Sequence, residues 1–150
     1  MAGFRTWCDI ASGWQRMQAF TAGQTGSLTM VSFTAFQACH PDAPLLIEVY
    51  PLDPVGQPSG PARTPVTVAA GSVGWAPRAV PVAMNATVDV GLRYGIVVSS
   101  TATRGCYGLA FNDAAPYPGG GEAYRSGGSA FVPETGRSDK FWTAVRPAAT

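Results

Sequence analysis

Charge is scarce in this chain of 150 residues. Only 13% of them are Asp, Glu, Lys or Arg, about half the usual quarter of a soluble domain. Nine Arg and one Lys stand against nine acids, for a formal net charge of +1. A protein that grips nucleic acid by its phosphates carries a clustered basic surface and a pI above roughly 9, so no nucleic-acid partner is expected. Histidine is nearly absent, with His40 alone. One histidine leaves a zinc site short of ligands, and any Ser-His-Asp triad would have to run through it. In "ACHP" it precedes Pro41 and reads as an exposed turn residue. No apolar run approaches the roughly 18 residues of a membrane-spanning helix, so no membrane insertion is expected. The opening "MAGFRTWCDIASGWQRM" has no charged region followed by an apolar stretch and is not read as a secretory signal. The sequon "NAT" at Asn85 is then not read as glycosylated. Localisation stays open between action without standard export and an excised domain.

Helical periodicity is also missing. With 18 Gly and 13 Pro spread along the chain, no helix beyond a few turns fits. The one helical candidate, "DIASGWQRM", is broken by Gly13. Cysteine is sparse and odd in number: Cys8, Cys39 and Cys106. Three cysteines do not make a closed disulfide framework. Three small buried hydrophobes are preferred over one pair plus a free thiol.

What the chain has is a period of two. "GSLTMVSFTAF", "LLIEVY", "TPVTVAA", "RAVPVAM", "ATVDVG", "YGIVVSS", "CYGLAFN" and "KFWTAV" alternate, with turn clusters between them. About nine short strands at regular spacing read as an all-β protein, an antiparallel β-sandwich or jelly roll. The Pro-rich "PLDPVGQPSGP" reads as a long surface hairpin. Residues 1–17 read as an N-terminal arm and residues 18–150 as the sandwich domain. Trp7 and Trp14 in the arm could anchor it on the sandwich or on a neighbouring subunit. Trp75 and Trp142 read as core or half-buried sheet residues.

Motifs for catalysis do not accumulate. No G-x-S-x-G elbow occurs. A glycosidase needs two carboxylates about 5–10 Å apart, and no motif singles out a pair among the nine acids. The stretch "PYPGGGEAYRSGG" lacks the spacing of a phosphate-binding loop and no helix pattern follows it. The expectation is therefore no enzyme and no cofactor. Aromatic side chains in that stretch suit another task. Trp and Tyr bind sugars by offering an apolar face with a polar handle at its edge, while Asn, Asp, Glu and Arg hydrogen-bond the hydroxyls. Tyr107, Asn112, Asp113, Tyr117, Glu122, Tyr124 and Arg125 are the candidate ligand-binding residues.

Several segments, in order, resemble a known family. "QAFTAGQTGSLTMVSF", "LLIEVYPLDPVGQPSGP", "VTVAAGSVGW", "VDVGLRYGIVVSS", "PYPGGGEAYRSGG" and "DKFWTAV" are similar to galactose-binding-like β-sandwich modules. Such modules are appended to bacterial glycoside hydrolases, polysaccharide lyases and surface proteins. Gln18 and Phe20 match the start. Gly26, Leu28, Val31 and Phe33 match the next strand. Tyr50, Gly56, Pro58 and Gly60 match a hairpin, and Gly91, Tyr94, Ile96 and Val97 match a later strand. The last strand departs, with Phe141 only two residues after Asp139. The resemblance implies a jelly roll that binds glycans or surfaces. It also implies a structural calcium between the chain ends, for which Asp9 and Asp139 are the candidate ligands.

Two functions compete on this reading. One is a non-catalytic binding or adhesion module that recognises carbohydrate or a surface through an aromatic loop. The other is a structural virion protein, a phage head decoration or tail adhesion component, docking through its N-terminal arm as a homo-oligomer or on capsid or tail subunits. Either would place the protein on a virion or an extracellular surface.

Overall fold

The computed structural model describes residues 4–112, 121–134, 138–139 and 141–147. The described residues form twelve strands: β1 (Phe4–Ile10), β2 (Trp14–Thr21), β3 (Gly26–Ala38), β4 (Leu45–Pro51), β5 (Arg63–Val68), β6 (Arg78–Val88), β7 (Arg93–Ser100), β8 (Cys106–Asn112), β9 (Glu122–Ser126), β10 (Val132–Glu134), β11 (Ser138–Asp139) and β12 (Phe141–Pro147). Beside them lies one 3-10 turn, Ala70–Ser72. Every strand pairing is antiparallel. The all-β expectation holds, and the strands form two sheets of six.

The first eight strands pair as a nest. β4 pairs β5, β3 pairs β6, β2 pairs β7 and β1 pairs β8. That is a long ribbon rolled over on itself, the topology of a jelly roll. One sheet runs β1-β8-β3 with β6 also on β3, and the other runs β2-β7-β4-β5. The later strands are additions. β9 and β10 extend the second sheet past β2, while β11 and β12 pair with β8 and β3 in the first.

Alternation decides which side chains meet between the sheets. β3 contributes Leu28, Val31 and Phe33, β4 contributes Leu45, Ile47 and Val49, and β7 contributes Tyr94, Ile96 and Val98, all buried in one core. Each fully buried Val, Leu or Ile of this kind contributes roughly 1.5–3 kcal/mol of transfer free energy. β6 shows the pattern most clearly: Val80, Val82, Met84, Ala86 and Val88 are buried and the residues between them exposed. "RAVPVAM" and "ATVDVG", expected as two runs, are largely this one strand. Pro81 is tolerated because it lies on the exposed face of a strand that pairs only with β3. At Gly26, β12 crosses so closely that an added Cβ would lie 2.0 Å from the Arg146 carbonyl oxygen.

The N-terminal arm is corrected. Residues 4–10 form the edge strand β1 and residues 14–21 form β2, which pairs with both β7 and β9. The arm reading failed because Arg16 and Gln18 break the apolar pattern although both face inward. The helical candidate across Gly13 is the β1–β2 corner.

The cysteine reading is also corrected. Cys8 on β1 and Cys106 on β8 form a disulfide across a separation of 98 residues, and Cys39 is a free exposed thiol. Cys39 and His40 are not extended. Both take left-handed backbone angles, φ 60° and 51°, in an exposed corner. Trp75 is 67% exposed rather than core. It follows the 3-10 turn, so no strand turns it inward, and its ring meets the edge of His40 at 5.0 Å. The Pro-rich hairpin is present between β4 and β5. Asp53 Oδ1 accepts from the backbone N–H groups of Val55 and Gln57, which closes the tip.

Candidate functional site

The expected ligand residues separate in space. Asp113 and Tyr117 lie outside the described residues, and Asn112 is described only in its backbone, where it ends β8. Tyr107 is corrected: it is fully buried in the main core. Its hydroxyl donates to the Ala43 carbonyl at 2.6 Å, and burial pushes its pKa above the usual phenol value. It has no surface to offer a ligand. Of the stretch "PYPGGGEAYRSGG", the part from Glu122 to Ser126 is a strand and not a loop.

Glu122, Tyr124 and Arg125 all lie on β9, but alternation sends them to two faces. β9 pairs with β2 in the register Gln18↔Glu122, Arg16↔Tyr124 and Gln15↔Arg125. Glu122 and Tyr124 therefore share the inward face with Arg16, while Arg125 faces out with Gln15.

On the inward face, Arg16 is the organising residue. Its Nε donates to Asp9 Oδ2 at 3.0 Å, and its Nη2 donates to the same oxygen. Nη1 donates to Glu122 Oε1 at 2.8 Å. The side chains of Arg16 and Glu122 are 9% and 1% exposed. Charges so far out of water must be paired and hydrogen-bonded, and here three strands share the duty. Asp9 comes from β1, Arg16 from β2 and Glu122 from β9. Asp9 is therefore not the calcium ligand expected of it, since its carboxylate holds a guanidinium that would repel a cation. Asp139 is described only in its backbone. Among the described residues no three His, Cys, Asp or Glu side chains come together.

Arg16 also sits behind Tyr124, with its guanidinium carbon 5.7 Å from the ring centroid. Trp14 stacks on the same Tyr124 ring, centroids 6.2 Å apart and planes 27° from parallel. Trp14 is 46% exposed, and Val132, directly across from Tyr124 on β10, is 47% exposed. The sheet order explains why this face is open. β9 and β10 lie outside β2, beyond the corner where β1 covers Arg16. The result is a shelf of Trp14, Tyr124 and Val132 with a buried ion network beneath one end. The turns at its end are tied together, since Gly127 N–H donates to the Gly13 carbonyl at 2.6 Å.

Sequence reasoning singled out Tyr124 but not Trp14 and Arg16, which the structure places beside it. The signal was available in "WQRMQAF", where Trp14, Arg16, Gln18 and Phe20 alternate, but its inward face is half polar and does not read as a strand.

At the opposite seam, between the edges of β5 and β6, runs a groove of about 430 Å³. Val66, Val68, Val80 and Val82 are among its lining residues, and none of the lining residues is ionisable. Among the described residues no helix is long and apolar enough to cross a membrane. Comparison with models of known protein families finds none that matches the chain, and a search of curated proteins finds none similar to it.

Proposed function

We propose that the chain is a non-catalytic binding module whose contact surface is the Trp14–Tyr124–Val132 shelf, and that its ligand is a carbohydrate. One observation carries the reading: a half-exposed Trp14 stacked on Tyr124, which is backed in turn by a buried Arg16. Flat aromatic faces of this kind cover the C–H side of a sugar ring. Their immobilisation by stacking below removes ordering cost on binding. The Cys8–Cys106 disulfide supports a place of work outside a reducing cytosol, in keeping with adhesion to a surface. The likeness to galactose-binding-like modules belongs to this proposal, and the jelly-roll nest is the frame it calls for.

Affinity electrophoresis against a panel of polysaccharides tests the reading. The protein should be retarded by at least one of them, and Trp14→Ala and Tyr124→Ala should migrate freely. Equal migration of all three proteins through the whole panel would remove the carbohydrate reading. Docking as a virion component through a free arm draws no support from residues 4–17, which are built into the sheets.

A further inference from the structure

Arg125 lies on the face of β9 opposite the shelf, and its surroundings are unlike those of Arg16. Its Nε donates to Gln15 Oε1 at 2.7 Å, across the β2–β9 ladder. Its guanidinium carbon lies 4.3 Å from the centroid of the Phe131 ring. Phe131 is itself pinned. Its N–H donates to Gln57 Oε1 at 2.8 Å, and its carbonyl accepts from Gln57 Nε2 at 2.9 Å. The ring packs in a small second core with Met17, Val97 and Ala123. The Pro-rich hairpin thus holds Phe131, Phe131 holds the plane of the guanidinium, and Gln15 fixes its rotation.

This fixed cation has no carboxylate partner among the described residues. Its two Nη groups carry no hydrogen bond there, and Arg125 is only partly exposed. Glu48 lies on the same outer face but takes the Tyr50 hydroxyl instead, at 3.2 Å. A guanidinium held over an aromatic ring, with no hydrogen bond on its terminal nitrogens among the described residues, matches a carboxylate in the two-bond geometry that arginine favours.

We propose that Arg125 is the carboxylate-binding residue of a second subsite, on the outer face of the β2–β9 ladder, that takes an acidic sugar. The carboxylate assignment stands on the geometry of Arg125, and its source in a saccharide rests on the carbohydrate reading above. The N–H groups of Nη1 and Nη2 donate to the two carboxylate oxygens, and no bond is made or broken.

The test is a titration of the nitrogen-15-labelled full chain, read at the Arg125 Nε–H and Gln15 side-chain amide signals. Sodium glucuronate, methyl glucoside, tetraglutamate and sodium chloride are added separately at matched ionic strength. Glucuronate should shift both signals saturably, while the neutral glucoside and chloride should not. Arg125→Gln should abolish saturation, and Arg125→Lys, which keeps the charge but loses the flat fork, should weaken it by about tenfold. Trp14→Ala should leave glucuronate binding intact, which separates failure of this subsite from failure of the shelf. A non-saturating response to glucuronate in the unmodified protein overturns the proposal. So does unchanged binding in Arg125→Gln, or in Arg125→Lys should the Gln protein not fold. Saturation by tetraglutamate without glucuronate would overturn the acidic sugar in favour of an acidic peptide.

Discussion

Arg16 and Arg125 sit one register step apart on neighbouring strands, and they do opposite things. Arg16 faces inward, is buried, and is held by carboxylates from two other strands. Arg125 faces outward, is partly exposed, and is held by an amide and an aromatic ring with no carboxylate partner among the described residues. The same side chain is structural in the first place because removing it would strand two acids, one of them deeply buried. In the second it is a fixed positive charge on a surface, which stability does not require. The lesson is that a charged residue's role follows from what neutralises it, and that alternation along one ladder is enough to switch it.

The comparison can be broken from its strongest side first. Glu122→Ala takes from the buried Arg16 the carboxylate that β9 supplies. Breaking a buried pair costs about 3–5 kcal/mol, so urea unfolding should show a loss of that order. A loss under about 1 kcal/mol would mean that the network is dispensable. Replacing Cys8 and Cys106 by Ser frees the edge strand that supplies Asp9. A closed loop near 100 residues is worth about 4.7 kcal/mol in the chain-entropy account, against the observed separation of 98 residues. The double variant should melt far lower, and the loss should exceed that of Glu122→Ala if the disulfide rather than the ion network holds β1.

Smaller effects sharpen the contrast. Gly26→Ala drives a methyl into the Arg146 carbonyl and should cost roughly 1–3 kcal/mol by overpacking, seen as a lowered midpoint in the same unfolding experiment. Arg125→Ala removes a stacking contact and one hydrogen bond, and its cost should stay below about 1 kcal/mol. A cost equal to that of Glu122→Ala would erase the distinction between the two arginines. Asp42 supplies the smallest case, an exposed carboxylate with no ion-pair partner among the described residues. The Thr103 hydroxyl, then the backbone N–H groups of Arg104 and Thr103, hold its pKa below the ordinary 3.8. A depressed carboxylate stabilises the fold above its ordinary value, and that contribution disappears as pH falls through the lowered one. The stability difference between Asp42→Asn and the unmodified protein should therefore shrink in acid, as thermal melts from pH 6 to pH 2 would show.

The sandwich was legible from alternation because most inward faces are uniformly apolar, as in "LLIEVY" and "RAVPVAM". Legibility ended where an inward face carries charge. Arg16, Gln18 and Glu122 are buried polar residues whose neutralising partners come from strands far apart in sequence. Glu122 is 106 residues from Arg16, and no local pattern records that distance. Tyr107 was misplaced for a related reason, since its hydroxyl partner, the carbonyl of Ala43, lies 64 residues away. The Cys8–Cys106 pairing escaped a count that could not show which strands become neighbours. Tyr124 was singled out because an aromatic in a Gly-rich stretch stands out, but Trp14, on which it stacks, was assigned to an arm.

Calorimetric titration of a retained polysaccharide fragment into the unmodified protein and Trp14→Ala tests the central claim most directly. The account predicts that the variant keeps its melting midpoint within a few degrees and binds at least about tenfold more weakly, a loss of roughly 1.4 kcal/mol. Equal affinity in the two proteins would contradict it.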